Sequence, residues 1–172
     1  MMRLLNFLLL LWLLVPLLAI AQAPTVPQDV RYKNKSDYKN YQGKAKELMH
    51  WVVSTPLNEH PQARKKINNF LMKWMTGSPC VHLELHPDVL GNVIDEELMG
   101  MDFMIVYLSA MGLAELDGVS NDNQLEMQHQ GAQSMVKAYE SIRANWQQKH
   151  LEKLYKLQQK GKLRGWLDKM LI

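Results

Sequence analysis

The chain is predicted to fold as a mainly α, single-domain helical bundle of five or six helices, with at most a minor extended segment near residues 80–86. Three observations predict it. From Ser36 onward, apolar residues recur at the i, i+3, i+4 spacing of helices that bury one face. Pro56, Pro61, Pro79 and Pro87, with Gly77, Gly118 and Gly161, punctuate those stripes at helix-length intervals. Apolar–polar alternation, the mark of a half-buried strand, is limited to the seven residues Cys80–His86.

Residues 1–23 stand apart from this pattern. Nineteen of them are hydrophobic, Arg3 precedes an apolar run from Phe7 to Leu18, and Ala19, Ala21 and Ala23 follow it. A charged n-region, a short apolar core and small residues at the end make a secretory signal peptide, not a membrane anchor. Cleavage after Ala23 would leave Pro24 at the new terminus, and cleavage after Ala21 fits the same rule. Residues 24–35 carry two prolines and no apolar period, so they read as a flexible lead-in to a helical domain over 36–172.

Within that domain Ser36 suits a helix N-cap, and Tyr41, Ala45, Leu48, Met49 and Val52 share one face up to the stop at Thr55-Pro56. Pro61 suits the first turn of a second helix, whose stripe is Ala63, Ile67, Phe70, Leu71 and Trp74. After Asn92, a predicted N-cap, the stretch Leu98–Leu116 holds only Asp102 and Glu115 as charges, and it reads as a buried central helix. Asn121 with Gln124 resembles a capping box, opening a stripe from Leu125 through His129 to Trp146. A further helix, a break at Gly161 and a short basic amphipathic helix complete the domain.

The run RKKINNFLMKWMTGSPCVHLEL, through Arg64, Asn68, Phe70, Trp74 and Gly77-Ser78-Pro79, resembles a family of small exported Bacteroidetes proteins of unknown function. The closing Gly161-Lys162-Leu163 turn is similar too. The resemblance implies export from a Gram-negative bacterium and an α-helical domain. It carries over no catalytic residue.

Cys80, His82, Glu84 and His86 are the candidate metal ligands, for zinc or copper. On a strand, side chains two apart share a face at about 6.5–7 Å, near enough for His82 with Glu84, or Cys80 with His82, to grip one ion. His82 and His86 would stand about 13 Å apart and could share a metal only on a helical turn. The competing reading is an exposed polar face opposite Val81, Leu83 and Leu85. Met99, Met101, Met104 and Met111, with Met49, Met72, Met75, Met127, Met135 and Met170, supply soft thioether ligands suited to Cu(I), although most sit on apolar helical faces where methionine fills irregular core space. Asp102 is expected to be poorly solvated and paired with a neighbouring cation or tyrosine. No nucleophile elbow or glycine-rich phosphate loop is present, and one cysteine cannot close an internal disulfide.

The net charge of +3 is too small to indicate a nucleic-acid binder, but it hides segregation. Residues 74–136 carry ten acidic residues and no Lys or Arg, while both flanks are basic. The sequence therefore points to an exported, non-catalytic envelope module, periplasmic or extracellular, that docks a partner protein or surface polymer and has no transmembrane span once the signal is removed. The alternatives are a metal-binding protein or metal-dependent hydrolase using His82 and Glu84, and peripheral membrane contact through the basic C-terminal helices.

Overall fold

The computed structural model describes residues 23–97 and 99–171. The signal-peptide assignment rests on residues outside that range, apart from Ala23. Among the described residues eight α-helices follow in order: α1 (Lys35–Asn40), α2 (Gln42–Ser54), α3 (Pro61–Gly77), α4 (Pro87–Leu90), α5 (Gly100–Leu116), α6 (Gln124–Glu140), α7 (Lys149–Gln159) and α8 (Leu163–Met170). A 3-10 turn occupies Gly91–Asp95. The fold is mainly α, with no strand among the described residues.

The two helices beyond the expected six have local causes. The helix expected from Ser36 is divided at Tyr41, whose backbone (φ −97°, ψ 1°) leaves the helical region. Its ring packs edge-on against Tyr32 and Phe70, at 5.9 and 6.2 Å between centroids. The cap is Asn34 rather than Ser36: its side chain accepts from the Ser36 and Asp37 amides, and Asp37 reaches back in a full capping box. The other addition is the single turn α4, started by Pro87 and ended by Gly91 at φ 56°. Asn92 lies inside the 3-10 turn and does not cap α5. Its side-chain oxygen instead accepts from Gln148 Nε2 at 2.8 Å.

Elsewhere the stops are those the sequence announces. Thr55 is extended before Pro56, and Pro61 opens α3 behind a left-handed His60. Gly161, at φ 64°, turns the chain from α7 into α8. Asn123 caps α6 through the Glu126 amide, two residues after the expected Asn121. Helix α6 ends at Glu140, and the turn that follows brings Trp146 back to stack on Phe103 at 5.8 Å.

Helix α5 is the axis. Eleven of its seventeen residues are buried, and its apolar residues surround it rather than forming a stripe. Helices α2 and α6 provide most of its cover, and α3 and the 3-10 turn contribute further contacts. The closest approach is at Gly131 of α6, where the Tyr107 ring of α5 fills the space a side chain would need. A Cβ there would lie 2.5 Å from Tyr107 Cδ2. Replacing a helical glycine by alanine ordinarily gains about 1 kcal/mol. Gly131→Ala is expected to do the opposite and cost about 1–3 kcal/mol through overpacking. Urea unfolding reads the sign, and a raised midpoint would mean the two helices separate freely.

Candidate functional site: a basic cleft backed by a buried polar centre

Residues 23–34 have no regular structure and lie across α3, with Val26, Val30 and Tyr32 packed against the core. Between this lead-in and the helix runs a cleft of about 460 Å³, lined by Val30, Arg31, Tyr32, Lys66, Phe70 and Lys73 among others. A second hollow of about 530 Å³, bounded by Pro24–Gln28, Gln62 and Ala63, continues it past Lys66. Lys66, Asn69, Phe70 and Lys73 recur at the spacing of one helix face, which is why α3 presents them together. Arg31, Lys66 and Lys73 are exposed, and among the described residues none has a carboxylate within ion-pair distance. Asp29 is the single acid in the lining. Tyr32 stacks on Tyr38 at 4.2 Å, and its buried hydroxyl has no hydrogen-bond partner. Burial, then the neighbouring Tyr41 and Tyr38, push that phenol up to about 12, so it stays neutral in any physiological medium. The cleft thus offers cations beside the half-buried ring of Tyr32.

The core-facing side of the same helix carries an unusual polar group. Arg64 is 2% exposed. Its Nη2 donates to the Thr55 and Pro56 carbonyls at 2.7 and 3.1 Å, tying α3 to the end of α2, and its guanidinium lies over the Trp51 ring at 5.1 Å. Its Nε and Nη1 are buried without acceptors. Asn68, one turn on, donates to Asp102 Oδ1 at 2.5 Å and so links α3 to α5. Burial raises the Asp102 carboxyl above its ordinary range, with Arg64 and the Asn68 bond opposing. Burial likewise lowers Arg64. Asp102 is therefore poorly solvated, as expected, but its direct partner is an amide rather than a cation.

The period-two strand expected over Cys80–His86 does not form: Cys80 lies in a turn, and residues 81–86 have no regular structure and no ladder partner among the described residues. His82 and Glu84 are exposed, and Cys80 and His86 are half-buried. Two anchors hold the segment. The His82 amide donates to Glu115 Oε2 at 2.7 Å, with its Nδ1 3.2 Å from Glu115 Oε1. Gln128 Nε2 donates to the Glu84 carbonyl at 2.9 Å, while its own oxygen accepts from the Tyr107 hydroxyl. His82 is thus brought to Glu115, a partner 33 residues away. Its signal in the sequence was slight: it is the only charge in the last turns of an apolar helix. Among the described residues, no three His, Cys, Asp or Glu side chains gather closely enough to hold a metal ion.

The basic C-terminal helices form a separate surface. Lys149, Lys153, Lys156 and Lys160 border a shallow apolar hollow with Leu157, and the Lys153 ammonium lies 4.5 Å from the Trp166 ring centroid. Here a carboxylate is engaged. Glu152 accepts from Arg143 Nε and Nη2 at 2.8 and 2.9 Å, which holds it down at about 2. No described helix is long and apolar enough to cross a membrane.

Comparison with protein-family models, with curated proteins and with solved structures found no match.

Two outcomes follow from the polar centre. Arg64→Ala removes the tie to the α2 carbonyls and leaves Asp102 without its nearby cation, and it is expected to cost about 3 kcal/mol in urea unfolding. The titration of Asp102 has the opposite sign to that of a salt-bridged acid. Its carboxyl is raised in the folded state, so its favourable contribution is complete below the ordinary carboxylate pKa of about 4 and is lost as pH rises through the folded value. Asp102→Asn is expected to flatten that decline, so the stability of wild type relative to the variant falls as pH rises above about 4. A difference that does not change with pH would show that Asp102 titrates normally.

Proposed function

We propose that the protein is an exported, non-catalytic module of the bacterial envelope that holds an anionic surface polymer in the cleft between its lead-in and α3. One observation carries this reading: three exposed cations, Arg31, Lys66 and Lys73, converge on the cleft without carboxylate partners among the described residues, beside the half-buried ring of Tyr32. Cations paired within the protein have little to offer a ligand, whereas these three keep their full field. The half-buried Tyr32 ring suits the flat apolar face of a sugar ring, and a continuous hollow over two adjoining stretches of the lead-in suits an elongated chain rather than a compact molecule. Export is supported by the composition of residues 1–23, which places the cleft where acidic polysaccharides occur.

The test is calorimetric binding of polygalacturonate, with neutral dextran as control. Binding to the acidic polymer only, weakened by added salt, is expected. Lys66→Glu with Lys73→Glu is expected to weaken it by about tenfold or more, the scale of two lost charge contacts. Lys153→Glu with Lys160→Glu, on the C-terminal surface, is expected to leave it within about twofold. Loss of binding in the second pair but not the first would move the site to α7 and favour the peripheral-surface reading.

A further inference from the structure

Two helices that pack side by side, α3 and α5, each carry a Met-x-x-Met pair: Met72 with Met75, and Met101 with Met104. A spacing of three puts both sulfurs of a pair on one helix face. Between the helices lies a groove of about 430 Å³ whose lining includes Met72, Met75 and Met104, with Val81, Leu83 and Leu85 of the segment after α3 as its outer wall. We propose that Met72, Met75 and Met104 form a thioether site for a soft monovalent cation, Cu(I) or Ag(I). The proposal is independent of the polyanion cleft, which lies on another face of α3.

What distinguishes Met72, Met75 and Met104 is that all three line one groove, although Met75 is itself buried, at 8% exposure. Met49, Met111, Met127 and Met135 are fully buried and fill the interior, where leucine would serve nearly as well. Met72 and Met104 are half-buried at a groove, and Met101, one turn before Met104, is 52% exposed at the start of the same stripe. Thr76 constrains the first ligand: its hydroxyl donates to the Met72 carbonyl at 2.7 Å and lies 3.7 Å from Met72 Sδ. Three neutral thioethers in an apolar groove match a soft ion of low charge, which sheds water readily, and reject hard divalent ions that demand oxygen. Thioethers need no deprotonation to bind, so this site, unlike one built on Cys80 and His82, has no proton competing for it.

The experiment titrates the full mature chain with Ag(I), and with Cu(I) under anaerobic reductant, against a chromogenic chelator. One equivalent retained against the competitor is expected, with affinity unchanged between about pH 7.5 and about pH 5.5. Met72→Leu and Met104→Leu conserve volume, and each is expected to weaken retention by about tenfold while circular dichroism stays the same. Cys80→Ser and His82→Ala are expected to have no effect. The proposal fails if wild type retains no ion, if the double Met72→Leu/Met104→Leu variant retains it undiminished, or if loss follows Cys80 or His82 with the acid sensitivity those ligands impose.

Discussion

A helix that is apolar on every side has to be covered on every side, and the rest of this fold follows from that demand on α5. A one-sided helix can lie at the surface with its polar face in water. Helix α5 has no such face, so α2, α3 and α6 close around it, and the segment after α3 passes along it without regular structure. The cover also has to deal with the few polar groups α5 brings inside. Asp102 is met by Asn68, Glu115 by His82, and the Tyr107 hydroxyl by Gln128, which in turn holds the Glu84 carbonyl. These three polar groups on the central helix thereby become ties that position neighbouring elements, whereas the buried Ser109 hydroxyl finds no partner among the described residues. Gly131 completes the arrangement, because its missing side chain lets α6 close over the Tyr107 ring.

The same burial explains how the charges are distributed. The acidic middle stretch contains the central helix α5, and α2 and most of α3, from the basic flank, pack against it. Among the described residues two ion pairs join middle and flanks, Lys46 with Asp117 and Arg164 with Glu126, both at the surface and each worth little singly. The flanks carry more cations than the middle can reach. The surplus is left in two places, at the lead-in cleft through Arg31, Lys66 and Lys73, and along α7 through its lysines. These surfaces differ in kind. The α7 surface is shallow and its acid Glu152 is held by Arg143, whereas the cleft is walled on two sides and its cations have no carboxylate partner among the described residues.

Helix periods and stops were legible in the sequence because they depend on neighbours a few residues apart. Thr55-Pro56, Pro61 and Gly161 act through local sterics and need no tertiary partner. What the sequence hid depends on distant residues. The break at Tyr41 is associated with a ring that packs on Phe70, which no local pattern announces. The α6 stripe was read through Leu125 and His129, which are only half-buried, while Gln128 is 1% exposed because Tyr107 and Glu84 claim both ends of its amide. The alternation of Cys80–His86 was legible, but not the lack of a ladder partner among the described residues, nor His82's contact with Glu115, which belongs to another helix. The lead-in was legible only as lacking a period; that it walls a cleft depends on Val26, Val30 and Tyr32 finding the core.

Helix α3 shows how one stretch of chain can serve three surfaces at once. At about 100° per residue, Arg64, Ile67, Asn68, Leu71 and Trp74 fall together and face the core. Lys66, Asn69, Phe70 and Lys73 fall on a second face beneath the lead-in, and Met72 and Thr76 on a third beside α5, with the buried Met75 at the edge where this face meets the core. Such a helix cannot turn about its axis without spoiling all three faces, so its rotation has to be pinned. Three ties do this from different directions: Arg64 to the α2 carbonyls, Asn68 to Asp102, and the Trp74 indole to the Tyr38 carbonyl at 2.9 Å. The buried polar centre is thus the orienting device for surfaces it does not touch. Its cost, a desolvated guanidinium with two nitrogens unsatisfied, is what fixing that rotation requires. An apolar residue at 64 would pack as well but would leave the angle of α3, and with it both grooves, to side-chain packing alone.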